Sequence, residues 1–276
     1  MEAGSAWALA GGAAERAGVT LEPLESFGDV VDACSVIGAV WGEDAAQVHY
    51  IRAIQHAGNV FYGSRAGGRM VGFVLGLLGS SEGLHEHSHM LAVLPEWRSK
   101  GVGYALKLAQ RAASLDLGLE QVRWTFDPLV ARNARFNLCR LGAVAVRWLP
   151  DFYGSMDDEI NRGERSDRFE ARWSLRSERV ERLLAGAPPR MNAGRPLVEA
   201  EEAGGLTTPV RTRFDPKPGC TVVVPADHVA LRRQDPALAR FWRDACAEAF
   251  EACFANGLVA SWITSGNAYV FTEPPA

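Results

Sequence analysis

The chain has 276 residues, 47% of them apolar and 22% charged, a globular composition that argues against extensive disorder. Its net charge of −4 comes without a basic block or an acidic tail, so nucleic acid finds no electrostatic footing, and no window approaches the roughly 20 apolar residues of a membrane span. The opening MEAGSAWALAGGAAERAG lacks the basic start of an export signal, and the cysteines (Cys34, Cys139, Cys220, Cys246, Cys253) are odd in number without CxxC spacing, which argues against a disulfide framework or a zinc knuckle and for a cytoplasmic protein.

Residues 1–18 read as a flexible leader. VTLEPLES then has strand character interrupted by proline, as at a sheet edge. Helical patterns follow around DVVDACSVIGAVW and AAQVHYIRAIQHA, and NVFYGS and RMVGFVLGLL read as paired strands about the turn RAGGR. HEHSHM, residues 85–90, runs into the apolar MLAVL as a further strand. By strand alternation His85, His87 and His89 would share one face, and Glu86, Ser88 and Met90 the other. His85, nearest the strand's start, and Glu86 read as solvated.

From Gly101 the period changes. Val102, Ala105, Leu106, Ala109, Ala112 and Ala113 recur at three- and four-residue intervals, the mark of a helix with one apolar face. EQVRWTF is a strand halted at Asp127-Pro128, ARNARFNLCRLG a short helix ending at Gly142, and AVAVRWL and RFEARWSL are strands. Cys139, inside the helical pattern, reads as a small buried residue. SERVERLLAG suggests a helix, but residues 177–219 as a whole, rich in Pro, Gly and Thr from 186 onward, read as a linker. Residues 220–276 regain order as a β-α-β-β extension: CTVVVP, the long helix of PALARFWRDACAEAFEACFA, then LVASWIT and AYVFT about the turn SGN. The expected class is α/β (α+β), with a catalytic domain over residues 19–176.

Chemistry concentrates in LAVLPEWRSKGVGYALK, residues 91–107: strand, short loop with Pro95, then Arg98, Lys100, Gly101 and Gly103 opening an amphipathic helix. Glycines leave the backbone open to a ligand, the first helical amides lack partners, and the dipole is positive there, so the segment suits a phosphate. Arg98 and Lys100 add charge beside it.

This stretch resembles the acyl-CoA signature of the GNAT acetyltransferase superfamily, in which Arg or Gln, two residues, Gly, one residue and Gly or Ala correspond here to Arg98, Gly101 and Gly103. Val93 and Pro95 fit upstream, and the order of elements over residues 19–176 fits as well. SHM, WTFDPL, NARFN, LGA and FYG, at residues 88–90, 124–129, 133–137, 141–143 and 152–154, resemble blocks of one branch of predicted acetyltransferases in that superfamily. The resemblance implies a mixed, mostly antiparallel sheet flanked by helices. It also implies acyl transfer, most often of acetyl, from acetyl-CoA or another acyl-CoA to an amine in a ternary complex, with no metal.

By the same resemblance the amides of Gly101, Val102, Gly103 and Tyr104 hold the diphosphate of coenzyme A, Val93 bonds the pantetheine arm through its backbone, and Asn133 contacts the cofactor. His87 and His89 fall where arylalkylamine acetyltransferases place a histidine pair. An imidazole with a pKa of about 6.5 suits removal of a proton from an ammonium substrate. Many members place an acidic tyrosine where this chain has Leu138, so Tyr153 of FYG is the remaining candidate for protonating the departing thiolate. Asp127 and Glu86 are candidate ligands of a cationic substrate. The expected partner is a small-molecule amine, with no nucleic acid and no membrane; a homodimer is compatible with the chain, whose oligomeric state is not legible. Two other readings stay open: a non-catalytic module that binds CoA or acyl-CoA, and a metal-dependent hydrolase using His85, His87 and His89 as zinc ligands.

Overall fold

The computed structural model describes residues 3–45, 47–154, 164–203, 206–212 and 215–275. The chain divides into two compact units, residues 1–124 with 174–176 and residues 125–173 with 177–276. The division differs from the expected boundary at residue 176, because the strands after Trp124 belong with the C-terminal segments.

In the first unit the strands run β1 (Thr20–Pro23), β2 (Phe61–Ala66), β3 (Arg69–Gly79), β4 (His85–Val93) and β5 (Gln121–Phe126, of which residues 121–124 belong here). They neighbour one another in that order, antiparallel except for the parallel pair β4–β5. The proline-bearing β1 takes the edge, where its missing amide costs no ladder bond. One face of the sheet is covered by α2 (Phe27–Trp41) and α3 (Val48–His56). There Val30, Ala33, Ile37 and Ile51 pack on Phe61, Phe73, Leu75 and Ala92. A capping box starts α2: Ser26 Oγ accepts from the Asp29 amide, while the Asp29 carboxylate accepts from the Ser26 amide.

The other face carries α4 (Val102–Asp116), with α1 (Ala3–Ala17) alongside it. The flexible leader expected over residues 1–18 is thus corrected. Five of its alanines, Ala6, Ala10, Ala13, Ala14 and Ala17, fall at helical spacing and are buried. So small a side chain gives little apolar signal, but it lets two helices approach closely.

In the second unit the strand order is β7-β6-β11-β12-β10-β8-β9, with β6 (Val144–Leu149), β7 (Arg168–Ser174), β8 (Pro196–Ala203), β9 (Leu206–Arg211), β10 (Thr221–Val223), β11 (Val259–Ile263) and β12 (Ala268–Thr272). Its ladders are antiparallel apart from β10–β8. The helix α8 (Pro236–Ala255) packs Phe250 and Phe254 against Phe169, Tyr269 and Phe271, in mostly edge-to-face contacts. A shorter helix, α7 (His228–Gln234), precedes it.

The linker expected over 177–219 is also corrected: it holds α6 (Glu178–Leu184), β8 and β9. Those strands are outermost in the order, and β9 is largely exposed, so alternation is weak. The segment ARNARFNLCR forms α5 (Ala131–Ala134) continued by a π-helical turn, Arg135–Arg140, and Gly142 follows at φ +83° as a left-handed terminator. Among the described residues no helix is long and apolar enough to cross a membrane.

Candidate active site

The signature segment folds as strand, one 3-10 turn (Pro95–Trp97), then helix. Gly101 occupies the N-cap of α4 at φ +91°, a left-handed conformation that costs other L-residues roughly 1–2 kcal/mol. Gly101 has no side chain to cap this terminus, so the amides of the first turn, Val102, Gly103 and Tyr104, point out of the helix mouth. A Cβ on Gly103 would come no nearer than 3.8 Å to Val93 Cγ2. Packing within the chain therefore does not require glycine at 103; its effect is to bare the backbone on the approach to the helix mouth. Arg98 and Lys100 are exposed beside it, Arg98 donating through Nε to the Val93 carbonyl at 3.2 Å and Lys100 Nζ standing 5.0 Å over the Trp97 ring. These features fit a diphosphate.

The strand leading to this mouth is irregular. On β3, Leu75 pairs with Met90 and Gly76 with Ser88, so His89 is an extra residue, a β-bulge. The uniform alternation expected along HEHSHM is corrected accordingly. Glu86 and Ser88 turn toward α4, whereas Met90 packs with the α2–α3 core. His85 is buried rather than solvated, with Nδ1 2.9 Å from the Gly83 carbonyl, in a space left by Gly79. His87 is half-buried and His89 exposed on its outer side, their ring centroids 6.5 Å apart. Partial desolvation nevertheless lowers the pKa of His89 from the ordinary histidine value. Among the described residues no group of three His, Cys, Asp or Glu side chains is placed to hold a metal ion.

The β4–β5 register covers Glu86↔Val122 and His87↔Arg123 only. From Ser88 to Val93, β4 therefore has no register with β5. Glu86 does not present a carboxylate to solvent, which corrects its reading as a solvated residue available to a cationic substrate. It is 2% exposed, with Oε1 accepting from Gln110 Nε2 at 2.5 Å and Oε2 accepting from the Ser114 hydroxyl. Burial pushes its pKa up to about 7. Lys107, Gln110 and Ser114, all buried in α4, escaped the sequence reading. The available signal was polar residues spaced three and four apart on the apolar side of that helix.

The remaining candidates lie in the second unit. Tyr153 is 48% exposed; its hydroxyl is 3.0 Å from Thr125 Oγ1, and the Arg168 guanidinium stands over its ring. Asn133 is exposed on α5. Asp127 is engaged: Arg243 donates to Oδ2 at 2.9 Å, the Leu129 amide to Oδ1 at 2.9 Å, and Arg168 lies 3.9 Å away. Its carboxylate is thus held within the protein, at the turn that follows β5. Leu138, in the place of the acidic tyrosine, is fully buried.

Residues 29–137 match the sequence model of the Acetyltransferase (GNAT) family. No curated protein is detectably similar to the chain. Among solved structures, the chain is similar to the ribosomal-protein-S18-alanine N-acetyltransferase of Escherichia coli (16% identity, 58% of this chain and 97% of that one, TM-score 0.47). It is similar as well to Ard1 of Thermoplasma volcanium (20%, 56% and 96%, 0.46) and to an N-acetyltransferase of Staphylococcus aureus Mu50 (12%, 57% and 99%, 0.47). The order of elements and the glycine-opened helix mouth agree with that match: over residues 29–137 the chain is similar to the acetyltransferases of the GNAT family.

Proposed function

We propose that the chain transfers an acyl group, most often acetyl, from acyl-CoA to the amine of a small molecule by direct attack in a ternary complex. The observation that carries the reading is the uncapped start of α4, bared by Gly101 and Gly103, at the end of a strand whose outer edge is unregistered from Ser88 to Val93. Acyl-CoA, when bound, supplies an activated thioester. The amides of Val102, Gly103 and Tyr104 would hold its diphosphate, with Arg98 and Lys100 adding positive charge and the Val93 backbone meeting the pantetheine arm. Main-chain amides on β4 beyond the end of its register with β5 would polarise the thioester carbonyl.

Alkylamines are mostly protonated near pH 7 and must lose a proton before attack. His89, with its lowered pKa, is largely neutral at that pH and can accept it, directly or through water, with His87 beside it. A thiol pKa of about 8.5 makes the leaving thiolate a modest burden, so Tyr153 is a dispensable acid. Titration calorimetry with coenzyme A and acetyl-CoA tests the reading: saturable binding is expected, and absence of association with coenzyme A or any of its esters overturns it. Leu138 favours a second reading, a non-catalytic acyl-CoA binder. Thioester consumption across a panel of small amines separates the two.

A further inference from the structure

The helix α4 buries a polar chain against β4 that the proposed chemistry does not use. Lys107 Nζ donates to Gln110 Oε1 at 2.7 Å and to Ser88 Oγ at 3.0 Å, and lies 3.9 Å from the centroid of the Trp124 ring. Gln110 Nε2 in turn donates to Glu86. Lys107 is 2% exposed and Glu86 equally so. Burying two such charges carries a large desolvation cost, and an apolar pair of similar volume is often as stable or more so. Packing alone gives no reason for the pair. Space for it is nevertheless provided, since Gly76 on β3 lacks the Cβ that would collide with the Glu86 carboxylate.

Its position suggests the reason. The β4–β5 ladder ends at His87↔Arg123, and Ser88 and Trp124 are the next residue on each strand. The Lys107 ammonium contacts both, so it stands at the closed end of the unregistered stretch, behind the bulge residue His89. We infer that Lys107 is a positioning residue for acyl transfer: its amine, tied to Glu86 through Gln110, fixes Ser88 and with it the backbone of the bulge that aims His89 and the stretch of β4 beyond it. This rests on the acyl-transfer reading above. Burial presses Lys107 down and Glu86 up, each to about 7, and their mutual attraction opposes both shifts. Neither group would keep its charge as well without the other.

The test uses the full chain carrying the paired substitution Lys107→Met and Glu86→Gln, which removes both charges together and spares the fold an unpaired one, with Lys107→Met alone as a second variant. Steady-state turnover of acetyl-CoA with an accepted amine is measured beside amide hydrogen exchange across β4. The expected result is a paired variant with a near-native unfolding midpoint and faster exchange at residues 88–90. Its kcat should be lower by about 10²-fold, with the KM for acetyl-CoA little changed. A kcat within about twofold of the native value, or unaltered exchange at residues 88–90, overturns the inference and leaves the proposed function standing. A native chain that turns over no amine while binding acetyl-CoA removes acyl transfer itself, and the inference with it.

Discussion

Gly76 on β3 faces Glu86 on β4 so closely that a Cβ at residue 76 would lie 1.9 Å from Glu86 Oε1 and 2.6 Å from its Cδ. Gly76→Ala therefore has to displace a carboxyl group held by Gln110 and Ser114. The expected loss is about 1–3 kcal/mol in urea unfolding. In a Glu86→Ala background the obstacle is gone, and the same substitution should cost far less. Equal costs in the two backgrounds would show that the glycine serves something other than the carboxylate.

Gly103 offers a separation of stability from binding. Aspartate there has room for its Cβ and places a negative charge in the first turn of α4, where the dipole favours it. Gly103→Asp should leave thermal stability unchanged or raise it by about 0.3–1 kcal/mol. Its affinity for coenzyme A should fall at least about tenfold, because the carboxylate opposes the diphosphate. Undiminished affinity in calorimetry would move the phosphate site away from this helix.

For the histidines, a combined His87→Ala and His89→Ala variant should lose about 10²–10⁴-fold in kcat near pH 7 while binding acetyl-CoA normally. Because desolvation holds His89 below the ordinary value of 6.5, the rising limb of the native pH–rate profile should lie below pH 6.5. Full turnover by the double variant would remove imidazole from the mechanism.

In the second unit, Glu164 contacts His228 and Arg243, each at about 3 Å. Burial by itself would raise its pKa; the hydrogen bond from His228 and the Arg243 charge override that and bring it to about 2. A carboxylate whose folded pKa lies below its unfolded value contributes stability above the unfolded pKa of about 4.5 and loses it as pH falls through about 2. The stability difference between the native chain and Glu164→Gln should accordingly be constant above about pH 5 and shrink between 4.5 and 2. A flat difference across that range would contradict the pairing.

Arg243 also holds Asp127, so Arg243→Leu takes the nearest guanidinium from two part-buried carboxylates, leaving Arg168 beside Asp127 and His228 and Arg232 beside Glu164. That should cost about 3–5 kcal/mol in chemical unfolding. A loss under about 1 kcal/mol would mean that the carboxylates find other partners or protonate.

Periodicity in the chain was enough to set out most strands and helices of both units, from VTLEPLES at β1 to AYVFT at β12, because burial on one face imposes a period of 2 or 3.6 on apolar residues. The glycine-flanked start of α4 was equally legible, since a left-handed N-cap and a bared backbone demand residue types that announce themselves. Folding alone settled where the polar residues point. A bulge at His89 exists only as a mismatch between two strands, and it sends Met90 to the face opposite the one simple alternation assigns. Glu86, Asp127 and Lys107 look like solvent residues in one dimension. Glu86 and Lys107 became buried, and Asp127 partly so, because partners far along the chain, Gln110 and Ser114, Ser88 and Trp124, and Arg243, meet them only once the sheets form, and a charge goes into the interior only where such partners wait.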